Sequence, residues 1–323
     1  MSAVRFSIVI ACYNQRDFIR SAVDSALSQS HPSKEIIVVD DGSSDGTPET
    51  LEEYGNSIQL VKFSRNSGAI KARNCGAARS TGEYLVFLDG DDLFTPWALE
   101  AYERIAAERS PKVMVAQRVW FKETVPDLEN APTPRHIEFV EFLSYMQRDR
   151  QFPMGASGLV IHRQVFEEIG GWSPGLFEAD CMDIVSKLGY SRKTILVCAP
   201  AAVFFRLHSR NSSHAVGPFL RGIRQTLCRE RAGEYSSCQK HQFDTHAWYG
   251  SLILDGIRKA VQAGLYKDAM RLAFSGRSMI LAKILRLLVI YVTGQRPVEI
   301  LQWCPGRTSA ESIENQAVMR SAI

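Results

Sequence analysis

The stretch Tyr84-Leu-Val-Phe-Leu-Asp-Gly-Asp-Asp92 decides the fold, because an uncharged run ends abruptly in three carboxylates. Residues 84–88 are aromatic or aliphatic, which predicts a strand buried on both faces. Asp89, Asp91 and Asp92 follow within four residues. Like charges held so close repel one another unless a cation lies between them. The pattern indicates either a divalent-metal site at a strand end or an acidic turn that caps the next helix.

The composition is that of an ordinary globular protein and excludes some classes of partner. The 323 residues are 45% hydrophobic and 23% charged, with a net charge of +3. No basic block with interleaved aromatic residues is present, so we expect no nucleic-acid partner. The N-terminus lacks the apolar core of a signal peptide, and no uncharged apolar run reaches the roughly 18 residues that span a bilayer. The seven cysteines include no Cys-x-x-Cys pair, so we expect a reducing, cytoplasmic environment.

Strand and helix patterns alternate through the first part of the chain. Apolar runs predict strands at 6–12, 35–39 and 58–63, and helical spacing predicts helices at 17–28 and 69–80. This alternation is typical of an open, mostly parallel α/β sheet with right-handed crossovers. Ligands of such sheets bind beyond the carboxyl ends of the strands, near the switch in strand order.

The strand ends bring polar side chains to one edge of this predicted sheet. They are Cys12-Tyr13-Asn14, Asp40-Asp41-Gly42 and Asp89-Gly90-Asp91. Carboxylates that converge beside an aromatic ring favour the metal site over the acidic turn. The first strand is not followed by the Gly-x-Gly-x-x-Gly turn of dinucleotide-binding proteins, and a Walker-type phosphate loop is absent too. The phosphates of a nucleotide would therefore be held through a carboxylate-bound metal.

Five blocks together resemble the family 2 glycosyltransferases of the GT-A fold. In chain order they are Ser-Ile-Val-Ile-Ala-Cys-Tyr-Asn (7–14), Ile-Ile-Val-Val-Asp-Asp-Gly-Ser-Ser-Asp-Gly-Thr (36–47), Asn-Ser-Gly-Ala-Ile-Lys-Ala-Arg-Asn-Cys-Gly (66–76), Gly-Glu-Tyr-Leu-Val-Phe-Leu-Asp-Gly-Asp-Asp (82–92) and Gly-Gly-Trp (170–172). The resemblance covers about residues 5–210. It implies a GT-A-type, mostly parallel open sheet flanked by helices over 1–214, with a helical C-terminal region at 215–323.

The resemblance implies a reaction and its partners. A sugar would move from a UDP- or dTDP-sugar to a hydroxyl of a polysaccharide or lipid-linked glycan acceptor, with inversion at the anomeric carbon. Mn²⁺ or Mg²⁺ would assist departure of the diphosphate. A nucleotidyltransferase is a rival enzyme class with similar sheet architecture, but it would need a Gly-rich, Arg- or Lys-bearing loop near the first strand. The chain has no such loop.

The nucleotide-binding residues that the resemblance implies lie in the first three blocks and at the start of the strand-end acidic run. Ala11 and Tyr13 would lie against the nucleotide, with the Tyr13 ring stacked on its base, although a half-buried core tyrosine is the structural alternative. Asp41 would accept a hydrogen bond from that base. Asp89 would support the ribose or the ion. Arg73 would meet phosphate charge, or else form a structural ion pair.

The metal-binding residues that the resemblance implies come from two distant segments. Asp91 would ligate the ion, supported by Asp89, and His208 would complete the metal shell or touch the diphosphate. Arg206 and Arg210, which flank His208, are also placed to meet phosphate. Asp92 is expected to be a turn or capping residue.

Inversion requires a base that removes the proton from the acceptor hydroxyl. The family commonly uses the Asp of a Glu-Asp pair that opens a helix, whereas this chain reads Phe177-Glu-Ala-Asp-Cys-Met-Asp183 and lacks that pair. We predict Asp180 as the base, with Glu178 and Asp183 behind it. A simple helix N-cap is the structural alternative for Asp180. If none of the three is essential, the chain is a catalytically silent nucleotide-sugar-binding protein that acts through its helical C-terminal region.

The remaining segments are predicted from periodicity. We expect a helix at 96–108, a strand pair at 112–121, a loop at 122–136, a helix at 137–148, a strand at 195–205, a basic helix at 219–231 and a helix pair at 244–262 and 265–275. Trp172 is expected to be a core tryptophan. Residues 278–292 are strongly apolar but contain Lys283 and Arg286. They indicate either a core helix or an interfacial helix that contacts the inner membrane face peripherally.

Overall fold

The computed structural model describes residues 4–126, 135–139, 155–176, 180–189, 193–199, 201–211, 215–235 and 242–293. Its main sheet has eight strands in the order β3-β2-β1-β4-β9-β6-β10-β8. They are β1 (Phe6–Cys12), β2 (Lys34–Asp40), β3 (Gln59–Lys62), β4 (Tyr84–Asp89), β6 (Val113–Ala116), β8 (Arg135–Phe139), β9 (Leu159–His162) and β10 (Thr194–Ala199). A smaller sheet of order β5-β11-β7 joins β5 (Leu93–Phe94), β7 (Arg118–Phe121) and β11 (Val203–Arg206).

The helices lie between and after these strands. Over the described residues they are α1 (Arg16–Leu27), α2 (Thr47–Glu52), α3 (Ala69–Arg79), α4 (Ala98–Arg109), α5 (Arg163–Glu168), α6 (Asp180–Leu188), α7 (Val216–Arg231), α8 (Gln242–Gln262), α9 (Tyr266–Ser275) and α10 (Arg277–Thr293). The predicted mostly parallel sheet flanked by helices, followed by further helices, is therefore confirmed.

The first four strands form the parallel half of the sheet. β1 pairs in parallel with β2 on one side and with β4 on the other, and all seven residues of β1 are buried. Such uncharged, β-branched runs are what a strand covered on both faces requires. The strand order reverses direction at β1, because the chain runs outward through β2 and β3 and then returns to place β4 on the opposite side.

Two secondary-structure predictions on the far side of the sheet were wrong, namely the helix at 137–148 and the single strand at 195–205. The helix expected at 137–148 is replaced over its first residues by β8, which pairs antiparallel with β10 and aligns Glu138 with Ile195. Pairing with a distant strand overrides local periodicity here. β8 also includes 135–136, which we expected in a loop, whereas 127–134 and 140–148 lie outside the described residues.

The strand expected at 195–205 is two strands in two different sheets. The chain leaves the main sheet after Ala199, and β11 begins at Val203 in the smaller sheet. The intervening sequence contains Pro200, and proline cannot donate to a strand ladder.

The C-terminal helices share an apolar cluster with the sheet. Val9 and Phe87 of the sheet belong to the same buried cluster as Leu220 of α7 and Trp248 of α8. The division of the chain at 214/215 into two domains stays a prediction. Helix α10 packs one face on α8, where a Cβ at Gly250 would clash with the Met279 carbonyl. Among the described helices, none is long and apolar enough to cross a membrane.

Candidate active site

A cleft of about 380 Å³ opens where β1, β2 and β4 end. It is lined by strand-end residues, by the loop and first turns of α3, and by residues that follow β11. They are Ala11, Cys12, Tyr13, Gln15, Asp41, Asn66, Gly68, Ala69, Ala72, Arg73, Asp89, Asp91, Phe205, Arg210 and Asn211. Six of the predicted site residues therefore line one cavity, and His208 contacts one of them, Asp91.

The strand register explains why these residues meet. Ala11 lies opposite Val39 of β2 and opposite Asp89 of β4, so the three strands end at the same level. The backbone N–H of Asp41 donates to the Cys12 carbonyl at 2.9 Å, and that of Gly90 donates to the Ala11 carbonyl at 3.1 Å. The chain therefore turns outward at one edge of the sheet.

The base side of the cleft contains Tyr13 and Asp41. The Tyr13 side chain is 44% exposed, so it is not a core tyrosine and its ring is accessible for stacking. Asp41 is buried, and its two carboxylate oxygens accept hydrogen bonds from the backbone N–H groups of Ser67 and Gly68, both at 2.7 Å. A carboxylate has about four acceptor positions, so two such bonds do not exhaust it.

The turn after β2 requires a glycine because it packs directly on the loop before α3. Gly42 has a φ of +75°, and a Cβ there would lie 2.5 Å from the carbonyl carbon of Arg65. No side chain fits at that distance, and the backbone conformation itself favours glycine. Together with the two bonds to Asp41, this contact fixes the 65–68 loop against the strand ends.

Arg73 and Asp89 form an ion pair at the wall of the cleft. The Arg73 Nη2 lies 2.6 Å from Asp89 Oδ1, and the buried guanidinium packs 5.3 Å from the Trp172 ring. The backbone N–H of Asp89 donates to Ser157 Oγ at 3.0 Å. Trp172 is buried against Phe87, which agrees with its prediction as a core residue. One Asp89 oxygen is thus already occupied by the protein, and Arg73 has the ion pair that we gave as the alternative to phosphate binding.

Asp91 and His208 meet at the opposite side of the cleft. Asp91 Oδ2 lies 2.9 Å from His208 Nε2, although the two residues are 117 positions apart in the chain. The His208 ring packs on Phe18 with ring centroids 4.6 Å apart, and its Nδ1 accepts the backbone N–H of Arg210 at 3.2 Å. With Nδ1 acting as an acceptor, the proton of the neutral ring is on Nε2 and is donated to Asp91.

Arg206 and Asp92 hold the acidic turn in place rather than facing a ligand. Arg206 donates from Nε to the Asp91 carbonyl and from its backbone N–H to Asp92 Oδ1, both at 3.0 Å. Asp92 is buried, as expected for a structural turn residue. Burial, and then the charges of Asp91 and Asp89, raise the pKa of Asp92 well above its ordinary value.

The donor atoms of Asp91 and His208 fit a divalent cation. Neighbouring ligands about 2.1 Å from an octahedral ion lie about 3 Å apart, close to the 2.9 Å between these two side chains. Binding through Nε2 would require the ring proton to leave that atom. Over the described ranges, no group of three His, Cys, Asp or Glu side chains is arranged to hold a metal. Phosphate oxygens and water would have to supply the other ligands, as is usual for Mg²⁺ beside a nucleotide.

The structure describes the positions of two of the three candidate bases. Asp180 begins helix α6, and Glu178 lies outside the described residues. Asp183 is fully buried and accepts hydrogen bonds from the Ser173 N–H and the Tyr235 hydroxyl, both at 2.9 Å. A carboxylate enclosed in this way cannot approach an acceptor hydroxyl without local opening, so Asp183 is a structural residue here.

Sequence reasoning missed Asn211. Its Oδ1 accepts the backbone N–H of His208 at 2.6 Å, and its Nδ2 donates to the Arg206 carbonyl at 3.1 Å. Asn211 therefore shapes the loop that presents His208 to Asp91. The only signal in the sequence was its position in a polar run directly after a strand.

The chain is similar to glycosyltransferases in both sequence and structure. It is 43% identical over 107 residues to TuaG of Bacillus subtilis (strain 168), a glycosyltransferase assigned to teichuronic acid biosynthesis; the match covers 32% of this chain and 42% of TuaG. It is 44% identical over 87 residues to WfaP of Escherichia coli, a UDP-Glc:α-D-GlcNAc-diphosphoundecaprenol β-1,3-glucosyltransferase, over 27% of this chain and 35% of WfaP. The matched segments therefore span less than half of either relative.

A solved structure shows the same fold over nearly the whole chain. Staphylococcus aureus TarS 1–349, crystallised with UDP-GlcNAc, superposes with a TM-score of 0.57 at 16% identity, covering 90% of this chain and 93% of that one. At this identity the likeness shows the fold alone, and it confirms the predicted GT-A-type architecture.

The family assignment comes from the sequence profile that matches this chain. The profile described as "Glycosyl transferase family 2" matches residues 7–170, from the first strand to the Gly-Gly turn after α5. The match includes the strand ends that supply Tyr13, Asp41, Asp89 and Asp91. Since it covers about half of the chain, the protein belongs to glycosyl transferase family 2.

Proposed function

We propose that the protein is an inverting glycosyltransferase that moves a sugar from a UDP- or dTDP-sugar to a hydroxyl of a polysaccharide or lipid-linked glycan. The observation that carries this proposal is the single cleft in which Tyr13, Asp41 and the Asp91–His208 pair meet at the strand ends. The cleft offers a stacking surface, a buried acceptor and a carboxylate–imidazole pair that could bind a divalent ion, which are the groups that a nucleotide diphosphate needs.

In this proposal the donor nucleotide lies across the ends of β1, β2 and β4. The exposed Tyr13 ring stacks on the base, and Asp41 accepts from the base through a free lone pair. Ala11 contributes to the cleft floor, and Arg73 keeps Asp89 oriented through their 2.6 Å ion pair. Asp91 and His208 hold Mn²⁺ or Mg²⁺, with Asp89 in support. A bound divalent ion neutralises charge on the departing diphosphate.

The acceptor side of the reaction uses a base at the start of α6. Asp180 takes the proton of the acceptor hydroxyl, whose oxygen forms a bond to the anomeric carbon as the bond to the diphosphate breaks. The nucleoside diphosphate leaves with that electron pair. Support for Asp180 comes from its position as the first residue of α6 and from the burial of the rival Asp183.

The relatives support the proposed acceptor class. Teichuronic acid biosynthesis for TuaG and a diphosphoundecaprenol-linked sugar for WfaP both indicate a polymer or a lipid-linked glycan. Acceptors of this kind are assembled at a membrane, so we place the protein in the cytoplasm at the inner membrane face.

Helices α9 and α10 support a peripheral membrane contact. Met270 and Phe274 of α9 are 71% and 73% exposed, and Leu281 and Leu288 of α10 are more than half exposed. Arg277, the first residue of α10, is exposed as well. Apolar side chains beside a cation favour the interface of an anionic bilayer. Sedimentation with phosphatidylglycerol vesicles should be reduced by the double substitution Leu281→Glu and Leu288→Glu, and absence of sedimentation in the wild type would contradict this contact.

The test of the function is release of UDP or dTDP from a panel of sugar nucleotides. We expect release that requires Mn²⁺ or Mg²⁺, stops with EDTA and is lost in Asp91→Ala. Turnover that is unchanged by both EDTA and Asp91→Ala would contradict the proposal.

The alternative is a catalytically silent nucleotide-sugar-binding protein. The missing Glu-Asp pair and the enclosed Asp183 are the observations that favour it. Sugar-nucleotide binding that raises the melting temperature, with no transfer to any acceptor and no effect of Asp180→Asn, would support this alternative.

A further inference from the structure

A second cleft, of about 460 Å³, lies between α7 and the segment that precedes α6. We call it the arginine groove. It is lined by Pro174, Leu176, Arg221, Arg224, Gln225, Cys228 and Arg229. Three of its seven lining residues are arginines, and among the residues that the structure describes no carboxylate lines it. It shares no lining residue with the cleft at the strand ends.

The spacing of residues along α7 explains why arginines line the groove. Arg221, Arg224 and Cys228 are spaced three and four residues apart, so they share one face of the helix. A neighbouring face carries Leu220 and Ile223, which are buried in the apolar cluster that also contains sheet residues. Packing of this apolar face fixes the rotation of α7, so the arginines must face outward over residues 174–176.

The first end of the groove carries excess positive charge. Arg221 is exposed and has no ion pair within the described part of the chain. Arg224 lies 3.4 Å from Asp268, but Arg271 shares that carboxylate at 4.0 Å. One carboxylate therefore serves two guanidinium groups, and Arg221 adds a third charge that these contacts do not neutralise.

At the other end of the groove, two cations face two carboxylates, so these contacts leave no excess charge there. Arg229 lies 3.9 Å from Asp183, which Lys187 also approaches at 3.5 Å. Arg229 also lies 3.7 Å from Glu234, a half-exposed carboxylate. These acidic groups support Arg229 from outside the lining and leave its remaining donors available to a ligand.

Asp183 also connects the groove to the predicted base. Its carboxylate accepts the N–H of Ser173, next to the groove residue Pro174, at 2.9 Å. Asp183 is three residues after Asp180 on the same helix, which is about 4.5 Å along the helix axis. The groove therefore lies near the start of α6, where the chain carries the proposed base.

We propose that the arginine groove binds a phosphate group of the acceptor. Guanidinium groups present paired N–H donors in a planar fork that matches phosphate oxygens, and three of them on one wall favour an anion over a neutral sugar. This inference rests on the proposed function, because it names a feature of the acceptor. The phosphate belongs either to a lipid-linked diphosphate or to a soluble phosphorylated glycan, and both offer the same chemistry to the groove.

The test uses inorganic pyrophosphate as the probe. It is titrated by calorimetry into the full chain in EDTA, with saturating UDP to occupy the strand-end cleft. We expect about tenfold weaker pyrophosphate binding in the double variant Arg221→Gln, Arg224→Gln, and several-fold weaker binding in Arg221→Gln alone. The single variant breaks no ion pair among the described residues, so it should fold normally. The matched control is Arg258→Gln, an exposed arginine of α8 that pairs with Asp255.

Equal pyrophosphate affinity in the wild type and the double variant would overturn the proposal that the groove binds phosphate. UDP affinity is measured separately and should be the same in all variants. Wild-type protein that binds neither UDP nor dTDP would contradict the proposed function, whereas normal nucleotide binding with pyrophosphate affinity unchanged by the substitutions would contradict only the proposal that the groove binds phosphate.

A second arm distinguishes the two sources of phosphate. Farnesyl diphosphate that binds more tightly than pyrophosphate, with the gain lost in the double variant, supports a lipid-linked acceptor. Equal affinity for the two probes, both dependent on Arg221 and Arg224, supports a soluble phosphorylated glycan. Farnesyl diphosphate binding that is unaffected by the substitutions would place the lipid diphosphate elsewhere and overturn the proposal.

Discussion

The strand-end cleft and the arginine groove satisfy their charged groups in different ways. In the cleft, each carboxylate has a specific partner: Asp41 the backbone of Ser67 and Gly68, Asp89 the Arg73 side chain, and Asp91 the ring of His208. In the groove, Arg224 shares the Asp268 carboxylate with Arg271, and Arg221 has no ion pair in the described residues. The first region is preorganised by its own contacts, whereas the second is left for an anion to complete. Substitutions in the two regions should therefore fail in different ways.

The largest effect should come from Asp180→Asn, at the start of α6. We expect kcat for sugar transfer to fall about 10²-fold to 10⁴-fold, because an amide cannot accept the proton of the acceptor hydroxyl. UDP affinity should be unchanged, since the proposed role of Asp180 concerns the acceptor and not the nucleotide. Steady-state kinetics with a calorimetric titration of UDP measures both quantities.

Asp183→Asn is the comparison for that variant. Because Asp183 is buried among Ser173, Tyr235 and Arg229, its loss should lower the melting temperature, which Asp180→Asn should leave nearly unchanged. Unchanged kcat in Asp180→Asn would transfer the role of base to Glu178, whereas absence of transfer by the wild type would support the silent alternative.

Asp91→Ala should remove the proposed metal ligand from the strand-end cleft. We expect sugar-nucleotide turnover to fall about 10²-fold to 10³-fold, because a metal contributes several kcal/mol to stabilising a departing diphosphate. Turnover at saturating Mn²⁺ is the measurement, and Asp255→Asn on the surface of α8 is the matched loss of one carboxylate. Turnover equal to that of the control would show that Asp91 does not bind the metal.

The strand-end cleft was largely predictable because parallel strands of equal register end together. The sequence shows where β1, β2 and β4 stop, and that is enough to bring Tyr13, Asp41 and Asp91 to one edge. A structural ion pair of Arg73 was predicted only as an alternative and without Asp89 as its partner, because side-chain rotamers decide whether such a pair forms.

The features that the sequence did not predict depend on contacts between distant segments of the chain. β8 was misread as a helix because its strand character comes from pairing with β10, almost sixty residues further on. The sequence predicted a basic helix near 219–231, and α7 is that helix. Which arginines form a groove, however, depends on the packing of Leu220 and Ile223 against the sheet.

Tyr13→Ala should have a smaller effect, confined to the base side of the cleft. Stacking of a base on an aromatic ring contributes about 1–3 kcal/mol, so we expect UDP affinity to fall about tenfold to a hundredfold. The melting temperature should not change, because the ring is 44% exposed. Tyr13→Phe keeps the stacking face and should bind UDP like the wild type. Equal loss in both variants would assign the effect to the hydroxyl rather than to stacking.

The smallest effect should come from Glu35→Gln, at the opposite end of β2 from the cleft. Burial raises the pKa of Glu35, but hydrogen bonds from Ser7, Thr81 and Gly82 outweigh it, so the pKa is lowered from its ordinary value of 4.5. A lowered pKa stabilises the folded state above pH 4.5, and this contribution is lost as the pH falls through the folded-state value.

We expect Glu35→Gln to lower the free energy of unfolding by about 1 kcal/mol at neutral pH, since the carboxylate is partly exposed. The difference from the wild type should shrink on acidification below pH 4.5, as measured by urea unfolding across a pH series. UDP affinity should not change. A difference that stays constant with pH would show that the charge of Glu35 is not what stabilises the fold.

Whether Asp91 and His208 bind the metal of a nucleotide-sugar site is tested most directly by calorimetric titration of UDP into the full chain with Mn²⁺ and with EDTA. We expect one site per chain in Mn²⁺, with affinity at least about tenfold weaker in EDTA and in Asp91→Ala. His208→Ala should weaken the Mn²⁺-dependent part alone. UDP affinity that is the same with Mn²⁺, with EDTA and in Asp91→Ala would contradict the account of Asp91 and His208 as the metal side of a nucleotide-sugar site.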